Sequence, residues 1–415
     1  MNNLELYEGL LNIPSLSIQD LKIEEKRIII NCQVRIASCK CPICGMVTHQ
    51  VNQRYVRSIR DLNIANREVY LMLKIRQFYC KNCPHYFSEP LDFADSNQSH
   101  THRQTDFMFL VGQKQSYAEA ALILNTHPKT VERLVLASCK KQVDLPTRYA
   151  QVRRLGIDEQ SHRKGKSSYF CVLSDLDRGT LVDILESRKK EDLIAHFQSL
   201  GAAFCAKITD IACDYWDAYI SVAKTCFPQA NIILDRFHVT KLLNNCVDLF
   251  RKELRKSSPN NENYRRLKWI LYKQYHTLSD KQLDELQYAF QDCPTLKEVY
   301  FTREKFHHIL DNQQDVQKAV QEIEQWVQDL QSKNLTVFEA FVKTLKSTKE
   351  YIANYVQNHL SNALTEGLNN LIRSIRRFSF GMANFDKLRW RALAISNKNS
   401  RRQKLQNLRQ TPHNR

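Results

Sequence analysis

The stretch that most narrows what this chain can fold into is Arg154-Leu155-Gly156-Ile157-Asp158-Glu159. Leu155 and Ile157 are apolar at alternate positions, Gly156 lets another backbone come close, and the run then meets two acids with no basic residue in the next two positions. This predicts a short buried strand that ends in a carboxylate. An acid there is costly unless it is hydrogen-bonded, paired or on a metal. Tyr169 to Asp175 reads as a second strand and Thr180 to Glu186 as a third, with the turn residues Asp175-Leu176-Asp177-Arg178-Gly179 between them.

Downstream, Lys189 to Leu200 has the spacing of an amphipathic helix, with Leu193, Ile194, Phe197 and Leu200 inward. Cys205 to Asp210 is expected to be a fourth strand, Tyr215 to Thr225 a helix, and Asn231 to Asp235 a fifth strand. Three strands, a helix, a strand, a helix and a strand is the order of a ribonuclease-H-like α/β fold that begins with an antiparallel meander. A long helical region then runs to about Gln357, interrupted by Pro259 and Pro294. In the next helix, Leu364, Leu368, Leu371, Ile372 and Ile375 form an apolar stripe. Glu366 lies off it, in a polar row with Asn362, Asn370, Arg373 and Arg377.

The N-terminal part has a different grammar. Leu16 to Val34 reads as a hairpin. Cys41-Pro42-Ile43-Cys44 and Cys80-Lys81-Asn82-Cys83 are two Cys-x-x-Cys knuckles, and a strand with alternating Val69, Leu71, Leu73 and Ile75 leads into the second. That spacing predicts a structural zinc held by Cys41, Cys44, Cys80 and Cys83, with Cys39, His49 and His85 as other conceivable ligands. From Thr101 to Val143 the period becomes helical. Thr105-Asp106 could cap a helix at Phe107, Ser116 and Glu119 make a capping box, and Pro128 opens a helix carrying Val131, Leu134 and Val135. This is a helix-turn-helix pattern whose recognition helix would turn Lys129, Thr130 and Arg133 toward DNA.

Composition enters at the question of partners. The 415 residues carry a formal net charge of +17. Such an excess points to a polyanion, DNA first, and basic residues including Arg373, Arg376 and Arg377 crowd the C-terminal end. No apolar run approaches the ~20 residues of a spanning helix, so no membrane role is expected. The N-terminus has no basic leader, so the 13 cysteines are expected as thiols or metal ligands in a bacterial cytoplasm, nucleoid-associated when on DNA. The last fifteen or so residues are expected to be disordered.

Three acids therefore fall where a ribonuclease-H-like fold would gather them: Asp158, Asp214 and Glu366. Hard oxygen ligands of this kind select Mg²⁺ or Mn²⁺, and a pair of such ions serves phosphodiester cleavage and transfer. The middle acid has rivals in Asp210, Asp217 and Asp235.

The chain resembles the DDE transposases of bacterial insertion sequences, in the ISL-three-type group. The resemblance is carried by both cysteine knuckles, Gly156-Ile157-Asp158-Glu159, Phe227-Pro228-Gln229-Ala230, Asp235-Arg236-Phe237-His238-Val239, Ser361-Asn362 through Glu366-Gly367 to Asn369-Asn370, and Phe380 to Phe385. It implies a catalytic triad of Asp158, Asp214 and Glu366, with Asp235 and His238 as a second element that supports the site, contacts DNA or supplies the alternative acid. It also implies terminal inverted repeats as substrate and an all-helical insertion before the glutamate helix. The expected protein is thus a multidomain α+β chain that acts on double-stranded DNA at element ends and target as a homodimer. A zinc ribbon (1–98) and a helix-turn-helix domain (99–145) precede a ribonuclease-H-like core (152–240 and 358–395), which is split by the helical insertion (241–357) and followed by a basic tail (396–415). A non-catalytic DNA-binding derivative is the competing expectation.

Overall fold

The computed structural model describes residues 3–161, 169–257, 263–381 and 384–396; most of the expected basic tail, from residue 397 on, and Pro259 lie outside them. The chain forms two compact units. One comprises Met1–Val143 with Ile375–Met382, the other Asp144–Ser374 with Ala383–Arg415.

The first unit begins with α1 (Asn3–Leu11) and the expected hairpin, β1 (Leu16–Ile23) and β2 (Arg27–Val34). Short β3 (Cys39–Lys40) and β4 (Val47–Thr48) flank the first knuckle. Two long strands follow, β5 (Val51–Ile64) and β6 (Arg67–Cys80), then β7 (His85–Ser88). Ala65 and Asn66, both at positive φ, make the tight turn between the long strands. The sheet runs β1-β2-β6-β5, with β7 also on β6. Val69, Leu71, Leu73 and Ile75 are buried at alternate positions of β6, as their period demands.

Three helices complete this unit: α2 (His102–Gly112), α3 (Tyr117–Ile123) and α4 (Pro128–Gln142). Ser116 and Glu119 form the expected capping box. α2 starts three residues before Thr105, because Thr101 accepts the Gln104 N–H and caps it there.

The second unit opens with α5 (Leu145–Gln151) and the meander β8 (Arg154–Ser161), β9 (Tyr169–Asp175) and β10 (Thr180–Leu185). Then come α6 (Lys190–Ser199), α7 (Ala202–Lys207), β11 (Asp210–Cys213), α8 (Asp217–Cys226) and β12 (Asn231–Leu234). The sheet order is β10-β9-β8-β11-β12, antiparallel through β10, β9 and β8 and parallel through β8, β11 and β12. Two expectations are corrected here. The run from Cys205 is not a strand: Ala202, Ala203 and Ala206 favour helix, and the strand is the fully buried Asp210–Cys213. β8 does not end at Asp158 but continues to Ser161, with Asp158 paired to Val172.

The helical region is α9 (Arg236–Ser257), α10 (Asn263–Arg266), α11 (Lys268–Leu271), α12 (Asp280–Asp292), α13 (Pro294–Asn312), α14 (Val316–Ser332), α15 (Glu339–Ala353) and α16 (Tyr355–Asn358). Its stripes, including Trp326, Phe306 and Phe341, share one core with the sheet. α17 (Ala363–Phe378) and α18 (Phe385–Ser396) follow. Leu368, Ile372 and Ile375 are buried as expected, whereas Leu364 is 45% exposed, on the first turn of its helix. Among the described residues no helix is long and apolar enough to cross a membrane.

Candidate functional site

The sheet register brings the acids together. β11 lies between two parallel neighbours and aligns Cys213 with both Ile157 and Leu234. The residues one step beyond are Asp158, Asp214 and Asp235, which emerge at one level of the sheet. Oxygens of Asp158, Glu159 and Asp214 lie within 4.8 Å of one another, and so do ligand atoms of Asp214, Asp235 and His238.

Each carboxylate has a distinct setting. Asp158 accepts the Glu159 N–H at Oδ1 and Asn369 Nδ2 at Oδ2, both at 2.7 Å. Burial, and then the charge of Asp214, push its carboxyl up to about 7. Glu159 takes Arg188 Nη1 at 3.0 Å, and that guanidinium stacks over the rings of Tyr169 and Trp216. His238 Nδ1 is 3.0 Å from Asp214 Oδ1 and 3.2 Å from Asp235 Oδ2; Asp214 first, then Asp235, hold its imidazolium up to about 10. Asp235 Oδ1 also accepts the Asn362 backbone N–H at 3.2 Å.

These groups line one cavity of about 740 Å³, whose walls also include Glu366, Asn362, Asn369, Arg373 and, from the helical region, Arg236, Phe237, Tyr272, Arg303, His307 and Tyr355. Glu366 is exposed at this wall and belongs to neither tight group of ligands. The expected acids therefore share a cavity, with Asp158 and Asp214 in direct proximity.

Glu159, Asn362 and Asn369 carry more of the site than the sequence reading gave them. Asn362 Nδ2 donates to the Ile157 carbonyl at 3.2 Å, and Gln160 Nε2 to the Asn369 carbonyl at 2.9 Å. Asn362, Thr365 and Asn369 are buried, a row at i, i+3 and i+7 that a helical wheel would have shown facing the sheet. Glu159 Oε2, Asn362 Oδ1 and Asn369 Oδ1 are buried oxygens without a hydrogen-bond partner among the described residues. Crowded carboxylates with orphan oxygen acceptors make a donor set suited to a hard cation.

In the other unit, the four knuckle thiols converge: Cys41 Sγ is 3.4 Å from Cys83 Sγ, Cys44 Sγ is 3.5 Å from Cys80 Sγ, and all four lie within 4.8 Å of one another. The Met46 N–H, and then Asn82, lower the Cys44 thiol to about 6. Cys39, His49 and His85 are not in this group. On α4, Lys129 is exposed and Thr130 half-buried; Arg133 is exposed and donates to Gln98 Oε1 at 3.2 Å. Arg373 Nη2 donates to Asn370 Oδ1 at 2.7 Å; Arg377 is exposed and Arg376 half-buried.

A family model described as a transposase, of the DDE ISL3 type, matches residues 155–392. A second, the zinc-finger of transposase IS204/IS1001/IS1096/IS1165, matches residues 37–83. The chain is 26% identical over 346 residues to the transposase for insertion sequence element IS1001 of Bordetella parapertussis, which covers 82% of this chain and 84% of that one. It is 25% identical over 420 residues to the transposase for insertion sequence element IS1557 of two Mycobacterium tuberculosis strains, over 92% of this chain and 93% of theirs.

Proposed function

The chain belongs to the ISL3-type DDE transposase family, and we propose that it binds the terminal inverted repeats of its own insertion sequence, cuts the DNA there and joins it to a target. The observation that carries this reading is the meeting of Asp158, Glu159 and Asp214 within 4.8 Å, in a cavity that Glu366 also lines. The catalytic acids are Asp158, Asp214 and Glu366. Asp214 is preferred to Asp235 because it groups with Asp158, whereas Asp235 does not and has Oδ1 engaged by the Asn362 N–H. Asp235 and His238 position Asp214.

The all-oxygen donor set suits Mg²⁺ or Mn²⁺ over zinc. Bound there, two divalent cations would activate the attacking oxygen and neutralise charge on the leaving oxygen. Asn369 holds the Asp158 carboxylate in place, and Arg188 holds Glu159. Three antiparallel strands followed by two parallel ones support a ribonuclease-H-like core, with the helices from α9 to α16 as its insertion. The thiols of Cys41, Cys44, Cys80 and Cys83 hold a structural Zn²⁺. α3 and α4 act as a helix-turn-helix, with Lys129, Thr130 and Arg133 toward DNA. Arg373, Arg376 and Arg377 contact phosphates, the working form on DNA is a homodimer, and the protein acts in the bacterial cytoplasm at the nucleoid.

The test is metal-dependent nicking of a linear fragment carrying one element end. Asp158→Asn is expected to abolish cleavage and to leave binding of the end intact. Wild-type cleavage by Asp158→Asn, or DNA binding by the wild type with no cleavage in Mg²⁺ or Mn²⁺, would overturn the catalytic reading and leave a DNA-binding protein.

A further inference from the structure

Part of the cavity wall comes from the helical region, where the lining includes aromatic, cationic and imidazole side chains and, among the described residues, no acid. His307, on α13, is 4% exposed and lines the cavity. Both of its ring nitrogens are buried without a hydrogen-bond partner among the described residues. Burial, then the charges of Arg303 and Arg236, lower it to about 4, so the ring is neutral. Arg303 itself is occupied, by Asn244 Oδ1, Glu304 and the carbonyls of Tyr272 and Lys273. Two aromatic rings beside this wall face solvent rather than core. Phe237 lines the cavity and is 60% exposed; Trp269 is 68% exposed, meets the cavity residue Tyr272 edge-on at 5.8 Å, and has Lys268 Nζ 4.8 Å from its ring.

We propose that this wall, Phe237, Tyr272 and His307 with Trp269 at its margin, receives an unpaired nucleobase of the DNA strand being processed. The inference rests on the DNA-cutting reading above. A neutral imidazole offers one donor and one acceptor. The Watson–Crick edge of a base carries both donors and acceptors and can engage one of these nitrogens in either tautomer. Exposed aromatic rings among cationic side chains form the stacking platform that unpaired bases use and that a closed duplex cannot reach. A cavity of about 740 Å³ is within the usual range for small-ligand sites. The acids line the same cavity, which brings the base near the phosphodiester under attack.

The experiment compares binding of two fluorescent DNA probes by anisotropy, with no Mg²⁺ or Mn²⁺ added, so that nothing is cut and the zinc stays bound. One is a blunt duplex and the other is the same duplex with an oligothymidine overhang. Stacking is worth ~1–3 kcal/mol per base, so the wild type is expected to favour the overhang probe by ~5-fold or more. Phe237→Ala and His307→Phe should erase that preference while blunt-duplex affinity stays unchanged. Phe237→Tyr, which keeps a ring at an exposed position, should retain it. Equal affinity of the wild type for both probes, or a preference that survives Phe237→Ala and His307→Phe, overturns this inference and leaves the DNA-cutting reading standing. Binding to neither probe overturns both.

Discussion

Asn369 Nδ2 donates to Asp158 Oδ2 at 2.7 Å, a hydrogen bond across 211 residues of chain that ties α17 to the middle of β8. It fixes, with a donor, one oxygen of a carboxylate whose charged form burial disfavours. Asn369→Ala is therefore expected to slow cleavage of an end fragment by roughly 10–100-fold, the usual cost of losing a group that orients a metal ligand, with end binding unchanged. Asn369→Asp keeps the shape but removes the donor, and should fail as well. A wild-type single-turnover rate in Asn369→Ala would rule out this role.

At Gly156 α17 packs close against the sheet. A Cβ there would meet Thr365 Oγ1 at 2.6 Å, Leu176 Cδ2 at 2.9 Å and Ser174 Oγ closer still. The two hydroxyls are themselves hydrogen-bonded at 2.6 Å, from β9 to α17. Gly156→Ala should destabilise the second unit by ~1–3 kcal/mol through overpacking, read as a lower denaturant midpoint, and should also reduce cleavage by moving the helix of Glu366. An unchanged midpoint would mean the helix is not seated against β8.

The knuckle end of the first unit has a small core of its own, Cys41, Phe78, Cys80 and Phe87. So few apolar side chains give little stability without a cross-link. Purified protein is expected to carry ~1 zinc per chain. Cys80→Ser or a strong chelator should remove it and lower the melting temperature, and Mg²⁺ should not restore what chelation took. Full stability after complete zinc removal would contradict this.

His307 links stability to pH. Its folded-state value of about 4 lies below the ordinary 6.5, so the unfolded chain takes up the proton first. Its contribution is fully present above pH 6.5 and is lost as pH falls toward 4, by up to roughly 3 kcal/mol at ~1.4 kcal/mol per pH unit. Urea midpoints measured from pH 7 to pH 4 should fall less steeply in His307→Phe than in the wild type. Parallel slopes would show that this ring does not titrate on unfolding.

What the sequence determined by itself was local. Short apolar runs bounded by turn residues located β9 and β10, Ser116 with Glu119 announced the start of α3, and two Cys-x-x-Cys spacings announced the thiol cluster. Each of these depends on atoms a few residues apart, so the chain writes it down directly. One local signal was misread: the strand anticipated from Cys205 is α7, as its alanines favour, and the strand between β8 and β12 is Asp210–Cys213.

The meeting of the acids was decided by tertiary structure alone. Asp158, Asp214 and Asp235 become neighbours because Cys213 pairs with both Ile157 and Leu234, and a shift of β11 by one residue would turn its side chains to the opposite face. The choice of Asn369 over Asn370 as the partner of Asp158 was set by the rotation of α17 against the sheet. The aromatic wall around His307 was set by helices packed far along the chain. Such relations depend on the register and rotation of distant elements, and no spacing within a single segment encodes them.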